Sequence, residues 1–156
     1  MPSSPARPPE KDKPALETLV DVLKDAFGRS PGRALFVDYG LSDHVPGDTL
    51  RAFYKGEQIG PLMMPGSSDL TVDVDFGRLA RLGTKAGLDV HGPVQQGGFL
   101  MALGAEARMQ GLIRANPDKA TSIHRGVSRL IDPAEMGERF KVICISSPGL
   151  GRPAGF

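Results

Sequence analysis

The 156-residue chain has a single cysteine, no surplus of charge of either sign and no long apolar run. Each absence removes a class of function. Cys144 alone can form neither an internal disulfide nor a multi-cysteine metal cluster. Its neighbours, Val142-Ile143-Cys144-Ile145, read as a buried strand, so the thiol is expected to be packed and unreactive. Nineteen Lys and Arg stand against eighteen Asp and Glu, spread along the chain, which leaves no basic stripe for nucleic acid or a membrane surface. No stretch reaches the roughly 18 apolar residues of a membrane span. A glycine-rich cofactor loop behind a strand is also missing. Gln95-Gln96-Gly97-Gly98-Phe99-Leu100 has glycines at a helix start without the preceding strand or the spacing, and Gly149-Leu150-Gly151 lies in the tail. There is no nucleophile elbow and no triad.

What is present is the composition of one globular domain, with 40% hydrophobic and 24% charged residues. Glycine (20) and proline (14) are abundant and gather in the ends and loops, as expected of a loop-rich domain. Residues 1–14 hold five prolines and little apolar area, so they are expected to be a disordered extension. They have neither the apolar core of a signal peptide nor the Arg-rich amphipathic character of a transit peptide. Residues 147–156 are expected to be a flexible tail, which leaves 15–146 as the folded part.

Within it, Leu16, Leu19, Val20, Leu23 and Phe27 recur at helical spacing, with Gly28 placed to end the helix. Arg33 to Gly40 is a nearly continuous apolar strand, the pattern of a strand covered on both faces. Thr49 to Tyr54 predicts a short strand, and a long irregular stretch follows to Ser68. Asp69 to Asp75 alternates as an extended segment. A helix begins at Phe76 and stops within 83–87, and Leu88 to His91 is a short strand. Helices over 95–103 and 105–115 break at Gly104, and a polar helix spans about 119–130. Asp132-Pro133 supplies an N-cap with proline behind it. Arg139 to Ser146 is the last strand. Helices alternating with short strands give an α/β fold. The first strand lacks a neighbour upstream, so either the domain is small and unusual or the preceding strands belong to another piece of chain.

Ligands of open α/β sheets sit beyond the carboxyl ends of the strands, where Asp38-Tyr39-Gly40 falls. There a carboxylate can orient a donor, a tyrosine can close over a ligand and a glycine lets backbone approach. Alternatively, Asp38 caps a turn and Gly40 takes a positive φ. A second group is Asp69, Thr71, Asp73 and Asp75, which share one face if the segment is extended. Paired carboxylates there suit a guanidinium or a divalent cation. Alternatively, Asp75 caps the following helix and Asp73 is solvated. His44, His91 and His124 show no metal-ligand spacing.

Five segments in order carry a resemblance. They are Ala34 to Gly40, Asp48 to Phe53, Pro65 to Phe76, Gly92 to Leu100 with Leu103-Gly104, and Met136 to Lys141. Over about residues 15–146 the chain resembles the MidA-like family, the mitochondrial complex I assembly-factor arginine methyltransferases and their bacterial relatives. The resemblance implies the C-terminal part of a class I S-adenosylmethionine-dependent methyltransferase, a Rossmann-like sheet with an inserted loop-rich segment. It implies a mitochondrial enzyme that methylates arginine on a respiratory complex I subunit, a protein partner. In that family the glycine-rich cofactor loop and an Asn-Glu-x-x-Asp-Ala motif lie in the N-terminal half. S-adenosylmethionine is therefore expected to bind the complete enzyme and not this chain alone, with no cofactor-binding residues and no metal here. Asp38, Tyr39, Asp69, Thr71, Asp73 and Asp75 are the candidates for the substrate side. The competing expectation is a non-catalytic half-domain that binds a protein partner through its sheet edge. A metal-dependent hydrolase built on the aspartates is a third and weaker one.

Overall fold

In a computed structural model, residues 14–42 and 49–156 of the chain are described. Most of the expected disordered extension and residues 43–48, His44 among them, lie outside these. Helix α1 (Pro14–Arg29) presents Leu16, Leu19, Val20, Leu23 and Phe27 to the core. It runs past the expected stop, because Gly28 lies inside the helix and the Ser30 N–H still donates to the Ala26 carbonyl at 3.1 Å.

The main sheet has four strands in the order β5-β1-β7-β6. Strand β1 (Arg33–Leu41) pairs antiparallel with β7 (Phe140–Ser146) from Arg33↔Ser146 to Tyr39↔Phe140. Beyond β7 lies β6 (Asp89–Gln95), also antiparallel, with an irregularity between His91 and Val94 around a cis Gly92-Pro93 bond. On its other edge β1 meets the two-residue β5 (Val74–Asp75), parallel, at Gly40 and Leu41. Helix α2 (Phe76–Lys85) follows directly and packs with α1 over one face of the sheet. Phe76, Leu79, Ile143 and Ile145 are buried there beneath Val20, and Phe36 packs against them.

The expectation of a doubly covered first strand does not hold among the described residues. Leu35 and Val37, the alternate residues of β1, are 53% and 48% exposed. Side chains alternate across a strand, so Phe36 faces the helices while Leu35 and Val37 face the side on which no described element covers them. The fully enclosed strand is β7, whose Val142, Ile143, Cys144 and Ile145 are at most 2% exposed. Burial raises the Cys144 thiol above its ordinary value against a lowering by the charge of Arg33.

The stretch between β1 and β5 holds a second sheet of three strands, β3-β2-β4. Strands β2 (Arg51–Tyr54) and β3 (Glu57–Ile59) form a hairpin over Lys55-Gly56, both at positive φ (51° and 84°), the geometry of a two-residue turn. Strand β4 (Asp69–Thr71) pairs with the other edge of β2 and buries Ala52 completely. Between β6 and β7 the chain is mostly helical. Helices α3 (Gln96–Ala102) and α4 (Ala105–Ala115) are separated at Gly104, and α5 (Ala120–Ile131) leads into Asp132, whose carboxylate accepts from the Ala134 N–H at 2.9 Å. In the terminal segment the Phe156 ring lies 5.1 Å from that of Phe99, and Arg33 donates to the Leu150 and Gly151 carbonyls.

Candidate functional site

Where the carboxyl end of β1 meets the small sheet, a cleft of about 340 Å³ opens between Tyr39, Arg51, Phe53, Gln58, Thr71, Arg139 and Phe140. Its position follows from the topology. Tyr39 is at the end of β1 and pairs in register with Phe140 at the start of β7, and the two rings meet edge to face at 5.8 Å. Arg51, Phe53 and Thr71 come from β2 and β4 of the small sheet, and Gln58 from β3. The cleft is therefore the seam between two sheets.

Asp73 holds that seam. It lies between β4 and β5, where the chain leaves one sheet for the other, and is 6% exposed. Arg139 meets it with two parallel bonds, Nη1 to Oδ2 at 3.0 Å and Nη2 to Oδ1 at 2.7 Å. Arg51 Nη2 donates to the same Oδ1. The Asp73 N–H donates to Thr49 Oγ1 at 3.2 Å. Burial pushes the Asp73 carboxyl up, but the hydrogen bonds and charges of Arg139 and then Arg51 outweigh it and leave it below the usual aspartate range. Both guanidinium carbons also lie over the Tyr39 ring, at 5.7 Å for Arg51 and 5.5 Å for Arg139.

The six positions nominated by the sequence separate. Tyr39 and Thr71 line the cleft, and Asp73 backs it. Asp38 Oδ1 accepts from the Tyr39 N–H at 2.8 Å, a contact within β1. Asp69 is exposed on β4, opposite Phe53. Asp75 caps α2, accepting from the Arg78 N–H at 2.8 Å. Asp73 and Asp75 thus do not present a joint pair, because the run from Asp69 to Asp75 is two short strands broken at Val72-Asp73 rather than one. Gly40 has a different reason from a positive φ: a Cβ there would stand 2.2 Å from the Val74 carbonyl oxygen, so glycine permits the close approach of β5. Arg51, Phe53, Gln58, Arg139 and Phe140 were not nominated. Arg51 and Arg139 do stand in the segments that carried the resemblance, but their need as cationic partners follows only once Asp73 is seen to be buried.

The two described histidines lie elsewhere. His91 is packed near Phe156 with its Nε2 buried and unpartnered, and His124 contacts Ser128 on the surface of α5. Among the described residues no three His, Cys, Asp or Glu converge on a metal position, and no helix is long and apolar enough to cross a membrane. At the β6–α3 junction a Cβ on Gly97 would stand 2.4 Å from the Ile131 carbonyl oxygen, so glycine permits the close approach of the end of α5.

The comparisons with known proteins agree with this partial sheet. Residues 10–94 match a family described as "Putative S-adenosyl-L-methionine-dependent methyltransferase". The protein arginine methyltransferase NDUFAF7 homolog, mitochondrial, of Drosophila melanogaster is 41% identical over 132 residues, covering 83% of this chain and 30% of that protein. The protein arginine methyltransferase NDUFAF7, mitochondrial, of Rattus norvegicus is 37% identical over 131 residues, covering 81% and 29%. A crystal structure from Burkholderia thailandensis, bound to S-adenosyl-homocysteine, superposes with a TM-score of 0.73 at 30% identity, over 87% of this chain and 37% of that one. The chain thus spans about 30% of the length of the curated relatives it matches. With a mixed α/β sheet of the class I methyltransferase kind and a family match over more than half of its length, the chain belongs to this family of S-adenosyl-L-methionine-dependent methyltransferases.

Proposed function

We propose that this chain is the C-terminal part of a mitochondrial protein arginine methyltransferase that uses S-adenosylmethionine and acts on a respiratory complex I subunit during assembly of the complex. The observation that carries this reading is identity of 37–41% over more than four fifths of the chain to proteins named as mitochondrial arginine methyltransferases. The cofactor would supply the methyl group, and its site belongs to the part of the relatives that this chain does not span. What the chain contributes is position. Methyl transfer from a sulfonium is an in-line displacement, and the protein holds the two reactants in that line. The cleft at the carboxyl end of β1 lies where ligands of such sheets bind. Tyr39, Thr71 and Asp73 are the substrate-side residues placed there. Asp38 and Asp69 stand beside it, and Asp75 serves through the α2 cap.

Deleting the coding region of this chain and mapping arginine methylation on complex I subunits by mass spectrometry tests the reading. Loss of methylation and of assembled complex is expected, and unchanged arginine methylation would reject it.

A second reading, a non-catalytic half-domain that binds a protein through its sheet edge, draws on the stretch of the outer edge of β1 that no described strand pairs and on the exposed Leu35 and Val37. A methyltransferase assay separates the two. On the first reading, adding the cofactor-binding part of the enzyme to this chain gives arginine methylation. On the second, the mixture binds and stays inactive.

A further inference from the structure

The cleft between the two sheets carries an excess of positive charge facing an opening. Among the described residues Arg51 and Arg139 are the charged ones that line it, and both pair with the carboxylate of Asp73, which lies behind them. A guanidinium has five N–H donors in a rigid fork. Arg139 uses its two terminal nitrogens on Asp73 and Arg51 uses one, while 39% and 28% of their side chains remain exposed. Two like charges converging on one carboxylate oxygen repel each other, and an anion arriving from the open side relieves that repulsion. The rings of Tyr39, Phe53 and Phe140 make the walls apolar, which strengthens any ion pair formed between them. Gln58 and Thr71 add neutral donors at the rim. A guanidinium ligand would be repelled here, so the reacting arginine belongs elsewhere.

We propose that this cleft is a carboxylate subsite that takes an aspartate or glutamate side chain of the protein substrate, near the arginine that is methylated. The proposal rests on the arginine methyltransferase reading for the identity of the partner, and on charge complementarity for the ligand. The planar fork of Arg51 matches a carboxylate with two parallel hydrogen bonds, and the Tyr39 ring beneath it fixes its plane. A carboxylate seated between the arginines completes an alternation of charge that Asp73 begins.

The test is a binding measurement on the full chain without cofactor. Two peptides, acetyl-Gly-Gly-Glu-Gly-Gly-amide and its Gln counterpart, are titrated while the Tyr39 and Phe140 ring signals are followed by NMR. The Glu peptide is expected to bind at least about tenfold more tightly, the effect of one charge-assisted pair. Gln58→Glu puts a competing carboxylate into the cleft from an exposed position on β3. It is expected to weaken the Glu peptide about tenfold more than the Gln peptide, which loses only the rim donor. Equal affinity of the two peptides, or equal weakening of both by Gln58→Glu, would overturn the proposal. Glutarate and inorganic phosphate serve as competitors. If either binds as tightly as the Glu peptide, the cleft is a small-anion site and the proposal fails. A Glu preference in a protein that shows no methylation would leave the subsite standing and remove the enzyme reading. Methylation without a Glu preference would do the reverse.

Discussion

At the scale of single residues, Asp73 decides how the two sheets meet. A buried carboxylate with two guanidinium partners is costly to break, because removing it leaves two cations facing each other. A fully buried pair loses roughly 3–5 kcal/mol when one partner goes, and the solvent contact kept by Arg51 and Arg139 lowers that. Asp73→Asn is therefore expected to destabilise the chain by about 2 kcal/mol in urea unfolding. The pH dependence has a definite sign. The folded-state pKa of Asp73 lies below the unfolded value of about 3.8, so its stabilisation is complete above that value. It is lost as pH falls from there through the lower folded-state value. Acid titration of the native protein should show this loss and Asp73→Asn should not, and an identical acid limb in both would assign the stability to other groups. Gly40 tests the same seam from the backbone side. Gly40→Ala forces a Cβ against the Val74 carbonyl, and since backbone cannot swing away as a side chain can, β5 must separate from β1. A loss of about 2 kcal/mol is expected, with the change in amide exchange concentrated at Val74 and Asp75.

At the scale of elements, most helices and the strand β2 were legible, while the end of α1 and the pairing of the small sheet were not. The apolar spacing of α1, the break at Gly104 and the Asp132-Pro133 start are local chemistry, and local chemistry is what a sequence displays directly. The open choice at Asp75 resolved to the helix cap for the same reason, with its carboxylate on the Arg78 N–H. Asp75→Ala should cost about 1 kcal/mol in thermal unfolding, the usual worth of such a cap. The β2–β3 hairpin was hidden because β3 is three residues long and the turn carries Lys55 where a positive φ favours Asn or Gly. Lys55→Asn should then raise stability by about 0.5 kcal/mol, read as a higher melting temperature. The parity argument over Asp69 to Asp75 failed on the same ground. A break at Val72-Asp73 changes which face each residue takes, and nothing in the alternation of residues announces it. The arginines escaped notice because charge pairing across 22 and 66 residues of sequence has no local signature.

At the scale of the whole molecule, the apolar run in β1 and the exposure of Leu35 and Val37 describe one fact from two sides. The sequence has the hydrophobicity of a strand with cover on both faces, and the described elements cover one. Its outer edge is paired at Gly40 and Leu41, and among the described residues nothing pairs it from Arg33 to Tyr39. Backbone donors and acceptors on such an edge, flanked by exposed apolar side chains, invite a further strand and a further layer. The β1–β5 pairing is already parallel, so a strand added along the same edge in that direction would extend the existing ladder. Leu35→Lys with Val37→Lys removes the apolar face while leaving the core side of β1 untouched. Because both positions are exposed in this chain, the double variant is expected to keep its unfolding free energy within about 0.5 kcal/mol. Its association, with itself or with a cofactor-binding part of the enzyme, is expected to fall at least about tenfold in sedimentation velocity. If association persisted with stability unchanged, the contact would lie on another face, and the open edge of β1 would have to be stable in water without a partner.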